Sequence, residues 1–282
     1  MPDHPTRPPI PHWAGLPLAA PLVMGILNVT PDSFSDGGAH PDPAAAIAHG
    51  LAMRASGAAI IDIGGESTRP GATPVPPNIE AARIIPIIRA LAEAGVVVSV
   101  DTRNAPTMAA ALDAGAAIIN DVSALRHDER SAKLLAERGG PVILMHMRGT
   151  PATMNCQAHY ADLLTEVIDE LAARRDAAIA AGIAPAAIAL DPGFGFAKIA
   201  HQNITLLRGL DRLCALGHPI LVGVSRKRFI GDIAQVPEPA ARDPASLAAA
   251  LFAARHGAAI LRVHDVAGTV QALRVSQALE PA

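Results

Sequence analysis

Eight apolar runs in this chain each end on a side chain that accepts a hydrogen bond, donates one or carries charge. In order these are Asn28, Asp62, Asp101, Asn120 with Asp121, His146, Asp191, the trio Ser225-Arg226-Lys227, and Arg262 with His264. Taken singly, a strand-end Asp or Asn is most simply the N-cap of the next helix or the first residue of a turn. Taken together they say more. A frame that needed only caps could use Ser or Gly, and it would not bring acids, amides and bases to one place.

The types divide by the chemistry they could do. Arg262 and His264 alternate along one strand, so they share a face and could grip a single anion; the plainer alternative is an arginine paired with a neighbouring acid. Asp101, Asn120 and Asp191 supply acceptors and one amide. A carboxylate accepting two parallel hydrogen bonds matches the guanidine-like edge of a flat heterocycle such as a pterin or a purine. Lysine is scarce: Lys133, Lys198 and Lys227 stand against twenty arginines, and two of the three occupy strand-end loops, "DPGFGFAK" and "GVSRKRFIG". A shielded ammonium is a strong partner for a carbonyl oxygen or ring nitrogen, although for Lys198 an ordinary solvated lysine is the alternative. A basic grip and an acidic heterocycle pocket together imply a flat ring carrying an esterified phosphate.

These residues must be positioned by the runs that precede them. The runs are "LVMGILN", "AIIDIGG", "VVVSVDT", "AAIINDV", "PVILMHM", "AIALDPG", "PILVGVS" and "AAILRVHDV". Continuous apolar runs, rather than strict alternation, suit strands covered on both faces of a parallel sheet. Between them lie alanine-rich stretches with apolar residues at three- and four-residue steps and a Gly near the end, which read as crossover helices. The pattern predicts an α/β fold, a single-domain (β/α)8 TIM barrel, with an open doubly wound sheet as the alternative of similar periodicity. In a barrel the carboxyl ends of the strands build the active site, so all the polar ends meet at one mouth. The expected organisation is a proline-rich N-terminal extension over 1–21 and a barrel over 22–282.

Bulk composition narrows the function. With 282 residues, half of them apolar and 17% charged, the chain has enough material for a full core. A net charge of −3 offers no basic field for a polyanion, which argues against nucleic acid and membrane surfaces as partners and favours small molecules. Cys156 and Cys214 form no ligand-spaced pair, and neither a secretory signal nor a bilayer-spanning run is seen, so a soluble, cytoplasmic protein is expected.

Eight blocks, "MGILNVTPDSFSDGG", "IIDIGGESTRPGA", "SVDT", "IINDVS", "ILMHM", "LDPGFGFAK", "GVSRKRFIG" and "RVHDV", resemble in order and spacing the dihydropteroate synthase family of pterin-binding enzymes. The resemblance spans about residues 22–268. It implies condensation of 6-hydroxymethyl-7,8-dihydropterin diphosphate with 4-aminobenzoate to give 7,8-dihydropteroate and diphosphate, with Mg2+ assisting departure of the diphosphate through a cationic pterin intermediate. It further implies that Asp101, Asn120, Asp191 and Lys227 bind the pterin, with Asp62 and Met145 in the same pocket. Arg262 and His264 would hold the diphosphate and Asn28 the Mg2+. Thr68, Arg69, Pro70, Phe196 and the helix start after Lys227 would form the aminobenzoate pocket, and Asp36 would shield the cation. Lys227, Asp101, Asp36, Arg262 and His264 are then the catalytic set. A homodimer and competition by sulfonamides follow from the same resemblance. Two residues depart from the family pattern: Ala197 stands where glycine is usual and Arg228 where serine is common. Competing readings are a pterin-binding methyltransferase barrel, a Schiff-base aldolase built on Lys198 or Lys227, and a catalytically silent paralogue.

Overall fold

A computed structural model describes residues 12–30, 42–67 and 73–279. A short antiparallel hairpin comes first, β1 (His12–Trp13) and β2 (Leu16–Pro17). The eight apolar runs follow as β3 (Leu22–Asn28), β4 (Ile60–Gly64), β5 (Val98–Asp101), β6 (Ile118–Asp121), β7 (Val142–Met145), β8 (Ile188–Asp191), β9 (Leu221–Val222) and β10 (Ile260–Val263). They form one sheet in the order β8-β7-β6-β5-β4-β3-β10-β9. Every named pairing in it is parallel. A parallel bridge between Leu190 and Ile220 closes the ring, with the Leu190 N–H donating to Pro219 O at 2.9 Å. Each strand therefore lies beside its neighbours in sequence, and the first and last pair. A doubly wound sheet, whose strand order reverses at a switch point, is excluded.

The crossovers are α1 (Pro43–Ala55), α2 (Pro77–Glu93), α3 (Ala105–Asp113), α4 (Arg130–Arg138), α5 (Leu163–Ala180), α6 (Ala200–Arg208), α7 (Leu210–Cys214), α8 (Arg228–Ala234), α9 (Asp243–Arg255) and α10 (Val266–Ala278). Returns from β8 and β9 use two helices each. Alanine-rich interiors favour these helices, and side-chain caps start several of them: Asp42 accepts from Ala44 N at 2.9 Å, and Asp265 accepts from Gly268 N at 2.9 Å. Among the described residues no helix is long and apolar enough to cross a membrane.

Alternation along the strands sorts the core into two layers. Val23, Leu27, Ile61, Ile63, Val98, Val100, Ile119, Leu144, Leu190, Leu261 and Val263 face outward and pack under the helices. Leu22, Met24, Ile60, Ile118, Ile143, Ala189, Leu221 and Ile260 face inward and fill the lower barrel. Trp13 joins that inner cluster, 2% exposed, with its indole N–H donating to Ala187 O at 3.1 Å. Part of the stretch read from sequence as a separate extension is thus a plug for the amino end of the barrel. Two-residue strands among prolines leave no periodicity from which to foresee it.

Candidate active site

The inward face of each strand changes character along its length. Below it is apolar; above, two residues further on, come Asp62 after Ile60, Asn120 after Ile118, Met145 after Ile143, Asp191 after Ala189 and Arg262 after Ile260. Register carries the same row across the sheet: Asn28 lies opposite Gly64, Gly64 opposite Asp101 and Asp101 opposite Asn120. Period-two alternation thus turns all of them toward one mouth. Gly64 lies between Asn28 and Asp101 in this row: a Cβ on it would meet the Asp101 Cβ at 3.6 Å and Asn28 Oδ1 at 3.8 Å, ordinary contact distances.

Arg262 organises the floor. Its Nε donates to Asp62 Oδ2 at 2.6 Å and its Nη2 to Asp101 Oδ2 at 3.0 Å, while Asn120 Nδ2 donates to Asp62 Oδ2 at 3.1 Å. Asp62 is fully buried, and its Oδ1 has no protein partner. The alternative of an arginine paired with acids therefore describes Arg262, yet its place at the mouth stands: two of five N–H donors are committed and three remain. Burial raises the Asp101 carboxyl above its ordinary value, against the pull of Arg262 and with the push of Asp62.

His264 differs from the expected second cation. Burial, reinforced by the positive Arg226 and Arg262, lowers its pKa to about 3, so at neutral pH the ring is an uncharged hydrogen-bonding group. Its Nδ1 lies 2.9 Å from Ser225 Oγ, which also accepts from the His264 N–H at 3.1 Å. Arg226 does not join this pair. Its guanidinium makes two 2.7 Å hydrogen bonds to Asp243 at the start of α9, and its N–H donates to Ser246 Oγ at 2.9 Å.

The loop after β8 brings the remaining groups. Asp191 is raised by burial and held down by the Gly193 N–H, which donates to its Oδ1 at 2.7 Å, and by Lys227. Gly193 has φ +71, and a Cβ on it would sit 1.9 Å from His146 O, so only glycine fits. Lys227 stands at the N-terminal boundary position of α8; its Nζ lies 4.3 Å from the centroid of the Phe196 ring, a cation–π contact. Phe196, Met145, Met147, Met154 and Val122 pack as one apolar wall. Ala197, in place of the family's glycine, keeps a left-handed backbone at φ 49 and so preserves the turn at a conformational cost of about 1 kcal/mol. Arg228 has a side chain 92% exposed, 4.0 Å from Asp232 on the same helix.

Lys198 is not a solvated lysine. It is 8% exposed, and its Nζ donates to Gly193 O and Phe196 O, each at 3.1 Å, and meets His146 Nδ1 at 2.9 Å. Burial lowers its pKa to about 7, against the pull of Asp191 and Glu170. His146 follows Met145 and so turns outward, where its Nε2 lies 3.0 Å from Glu170 Oε2 on α5. Arg148 completes this network on Glu166 at 2.6 Å and on Glu170 at 2.9 Å. Neither Glu170 nor Arg148 was foreseen, because the partner of His146 lies a whole crossover away on an ordinary helix face.

Two further groups serve as scaffold. Asp121 accepts from Ser123 N at 2.7 Å and Leu125 N at 2.9 Å, the turn role that a strand-end acid commonly has. Glu66 binds Arg103 through two hydrogen bonds of 3.1 and 3.0 Å and accepts from Val75 N at 3.1 Å, tying together the two sides of the segment between them. Asp36, Thr68, Arg69 and Pro70 lie outside the described residues.

Among the described residues no group of three or more His, Cys, Asp or Glu could hold a metal ion. Asn28 and Asp101 stand on either side of Gly64 in the same row, and their side-chain oxygens are hard donors of the kind Mg2+ takes in ones or twos when substrate phosphates and waters complete its shell. They fit an ion that arrives with a diphosphate, and do not fit a closed protein centre.

Comparison with known proteins agrees with this fold. Residues 24–264 match the pterin binding enzyme family. The chain is 48% identical over 264 residues to the dihydropteroate synthase of Mycobacterium leprae, covering 92% of this chain and 93% of that protein. A structure of Xanthomonas albilineans dihydropteroate synthase with 4-aminobenzoic acid superposes with a TM-score of 0.90 at 50% identity, covering 95% of this chain and 97% of that one. The Yersinia pestis dihydropteroate synthase in a sulfonamide drug complex superposes with a TM-score of 0.88 at 45% identity, covering 93% and 95%.

Proposed function

The chain belongs to the dihydropteroate synthase family of pterin-binding enzymes, and from that premise we propose that it condenses 6-hydroxymethyl-7,8-dihydropterin diphosphate with 4-aminobenzoate. The observation that carries this reading is the inward-facing set Asp62, Asp101, Asn120, Asp191 and Arg262, an acid–amide floor with one arginine at the mouth of the barrel. Asp191 meets the amino-pyrimidine edge of the pterin, Asp101 and Asn120 its other polar atoms, and Lys227 its carbonyl oxygen and ring nitrogen. Met145 and Phe196 give the ring an apolar wall.

The reaction is driven by leaving-group stabilisation. As the C–O bond to the diphosphate breaks, negative charge grows on oxygens that accept from the free donors of Arg262 and from the neutral His264 ring, while the exocyclic carbon becomes cationic and conjugates with the pterin. Mg2+, held by Asn28, would neutralise charge on the departing diphosphate. Asp36 is assigned to shield the cation. Thr68, Arg69, Pro70 and Phe196, with Lys227, hold the aminobenzoate so that its amine attacks the carbon. The amine loses its proton after bonding, so neither a protein nucleophile nor a general base is required.

Sulfonamides, as aminobenzoate mimics, would compete in the second pocket, a reading supported by the sulfonamide complex of the Yersinia pestis relative. A cytoplasmic homodimer belongs to the same proposal.

The methyltransferase alternative is disfavoured by the "ESTRPG" and "SRK" blocks, and an aldolase built on Lys198 by the three hydrogen-bond partners that occupy it; for one built on Lys227, borohydride with a carbonyl substrate would trap a covalent adduct that a synthase does not form. One assay tests the proposal. The purified chain, mixed with the pterin diphosphate, 4-aminobenzoate and Mg2+, should form dihydropteroate and diphosphate in equal amounts and stop when the metal is chelated. No product under these conditions would overturn it.

A further inference from the structure

Resting on the reading of the cup as a pterin and aminobenzoate site, the geometry points to Lys198 as a positioning residue: it fixes the two peptides that aim Asp191 and Phe196, and is itself fixed from α5 through His146. In its protonated form Lys198 has three N–H bonds and meets three acceptors here, Gly193 O, Phe196 O and His146 Nδ1. With Nδ1 accepting, the imidazole carries its proton on Nε2 and donates it to Glu170, whose other oxygen is bonded by Arg148. Every partner in the chain from Arg148 to Lys198 then has the donor or acceptor role it needs.

What this fixes is specific. The Gly193 residue is gripped on both sides: its N–H donates to Asp191 Oδ1 at 2.7 Å and its carbonyl accepts from Lys198. Without Lys198 the Gly193 carbonyl keeps only the Phe196 N–H at 3.1 Å, a bond inside the same turn that moves with it, so Gly193 gains freedom to rotate and the donor that sets the Asp191 carboxylate plane is loosened. The Phe196 carbonyl is held in the same way, and the Phe196 ring is the surface over which Lys227 Nζ sits at 4.3 Å. Other bonds secure the loop's outer side: Gly195 N donates to Asn203 Oδ1 at 2.7 Å and the Tyr160 hydroxyl to Ala197 O at 3.1 Å. Loss of Lys198 should therefore misaim the two peptides without unravelling the loop. Lys198 lies behind the strand wall with the outward-turned His146, so it acts through Asp191 and Phe196 and not on substrate.

Lys198→Met tests this, since it keeps the stem and removes the donors. We expect KM for both substrates to rise and kcat/KM to fall about tenfold or more. In the unliganded chain, the Gly193 amide proton resonance, held downfield by the Asp191 carboxylate, should move upfield. His146→Leu, which keeps Lys198 but removes its Nδ1 acceptor together with the Nε2 donor to Glu170, should shift the same quantities in the same direction by less, and His146→Gln, whose amide oxygen accepts again, should return them toward wild type. A role in stability alone would lower the melting temperature while leaving both KM values and the Gly193 resonance in place, and that result overturns the inference. If Lys198→Met does not fold, wild-type KM values and an unmoved Gly193 resonance in His146→Leu overturn it instead. A wild-type chain that makes no dihydropteroate would count against the functional reading alone, because the Gly193 resonance is read without substrate.

Discussion

Arg262 carries two obligations, and they can be separated. It balances the buried carboxylates of Asp62 and Asp101, and it offers its remaining donors to the mouth. Removing one member of a buried ion cluster leaves the others uncompensated, at about 3–5 kcal/mol. Removing a donor aimed at charge developing in the transition state costs roughly 3 kcal/mol or more, two orders of magnitude in rate. Arg262→Ala should therefore lose both stability and kcat/KM. Adding Asp62→Asn, which discharges one of the stranded acids, should return much of the stability in urea titrations and none of the turnover; recovered turnover would show that Arg262 acts only as a brace. At this scale the sequence was informative about residue types and their parity. Asp62, Asp101, Asn120, Asp191 and Arg262 converge as strand alternation requires. It was silent on pairing and protonation: that Arg262 spends two donors on acids, and that His264 is neutral, depend on which side chains become neighbours only after the barrel closes.

Elements were legible to different depths. The apolar runs marked all eight barrel strands, because strands buried on both faces must be apolar throughout. Splitting of the returns from β8 and β9 into two helices each was not visible, since helical spacing continues across a short break. Nor was the direction of His146, which follows the inward Met145 and so meets α5 instead of the cup. That position has a pH signature. Burial, with the charge of Lys198, lowers the His146 pKa from 6.5 to about 4. In the window between those values the unfolded chain binds a proton that the folded chain refuses, so stability falls as pH falls. The contribution is whole above about pH 6.5 and diminishes toward pH 4. Its full size is up to roughly 3 kcal/mol, and the buried carboxyl of Asp101, raised by its surroundings, titrates in wild type and variant alike, so the difference between the two proteins isolates the imidazole. Denaturant unfolding at several pH values should show wild type losing about 2 kcal/mol more than His146→Gln between about pH 6.5 and 4.5. Parallel curves for the two proteins would mean that the imidazole is charged in the fold and that the tautomer argued for Lys198 is wrong.

At the scale of the molecule the barrel has two ends with separate duties. Chemistry gathers where the strands finish; the opposite end is sealed by the β1–β2 hairpin, with Trp13 seated among Leu22, Met24, Ile60 and Ile260. Half of this division was readable from sequence, since polar strand ends announce a mouth. A plug made of a single tryptophan between prolines has no pattern that sets it apart from a tail. The division makes opposite predictions for the two ends. Trp13→Ala removes a large, 2% exposed side chain and should cost about 3–5 kcal/mol, a fall of roughly 6–15 °C in melting temperature for a chain of this length. It touches none of the mouth residues, so KM for both substrates should stay within about twofold of wild type, a difference worth under 0.5 kcal/mol. Asp191→Asn should do the reverse. It discharges an acid whose carboxyl burial already disfavours, so stability should hold or rise, while loss of the carboxylate facing the pterin should lower kcat/KM by about two orders of magnitude. Calorimetric scans and steady-state rates on the two variants decide the matter. A Trp13→Ala enzyme with altered KM would mean that the plug reaches the site through the inner core, and that stability and chemistry share one end-to-end packing unit.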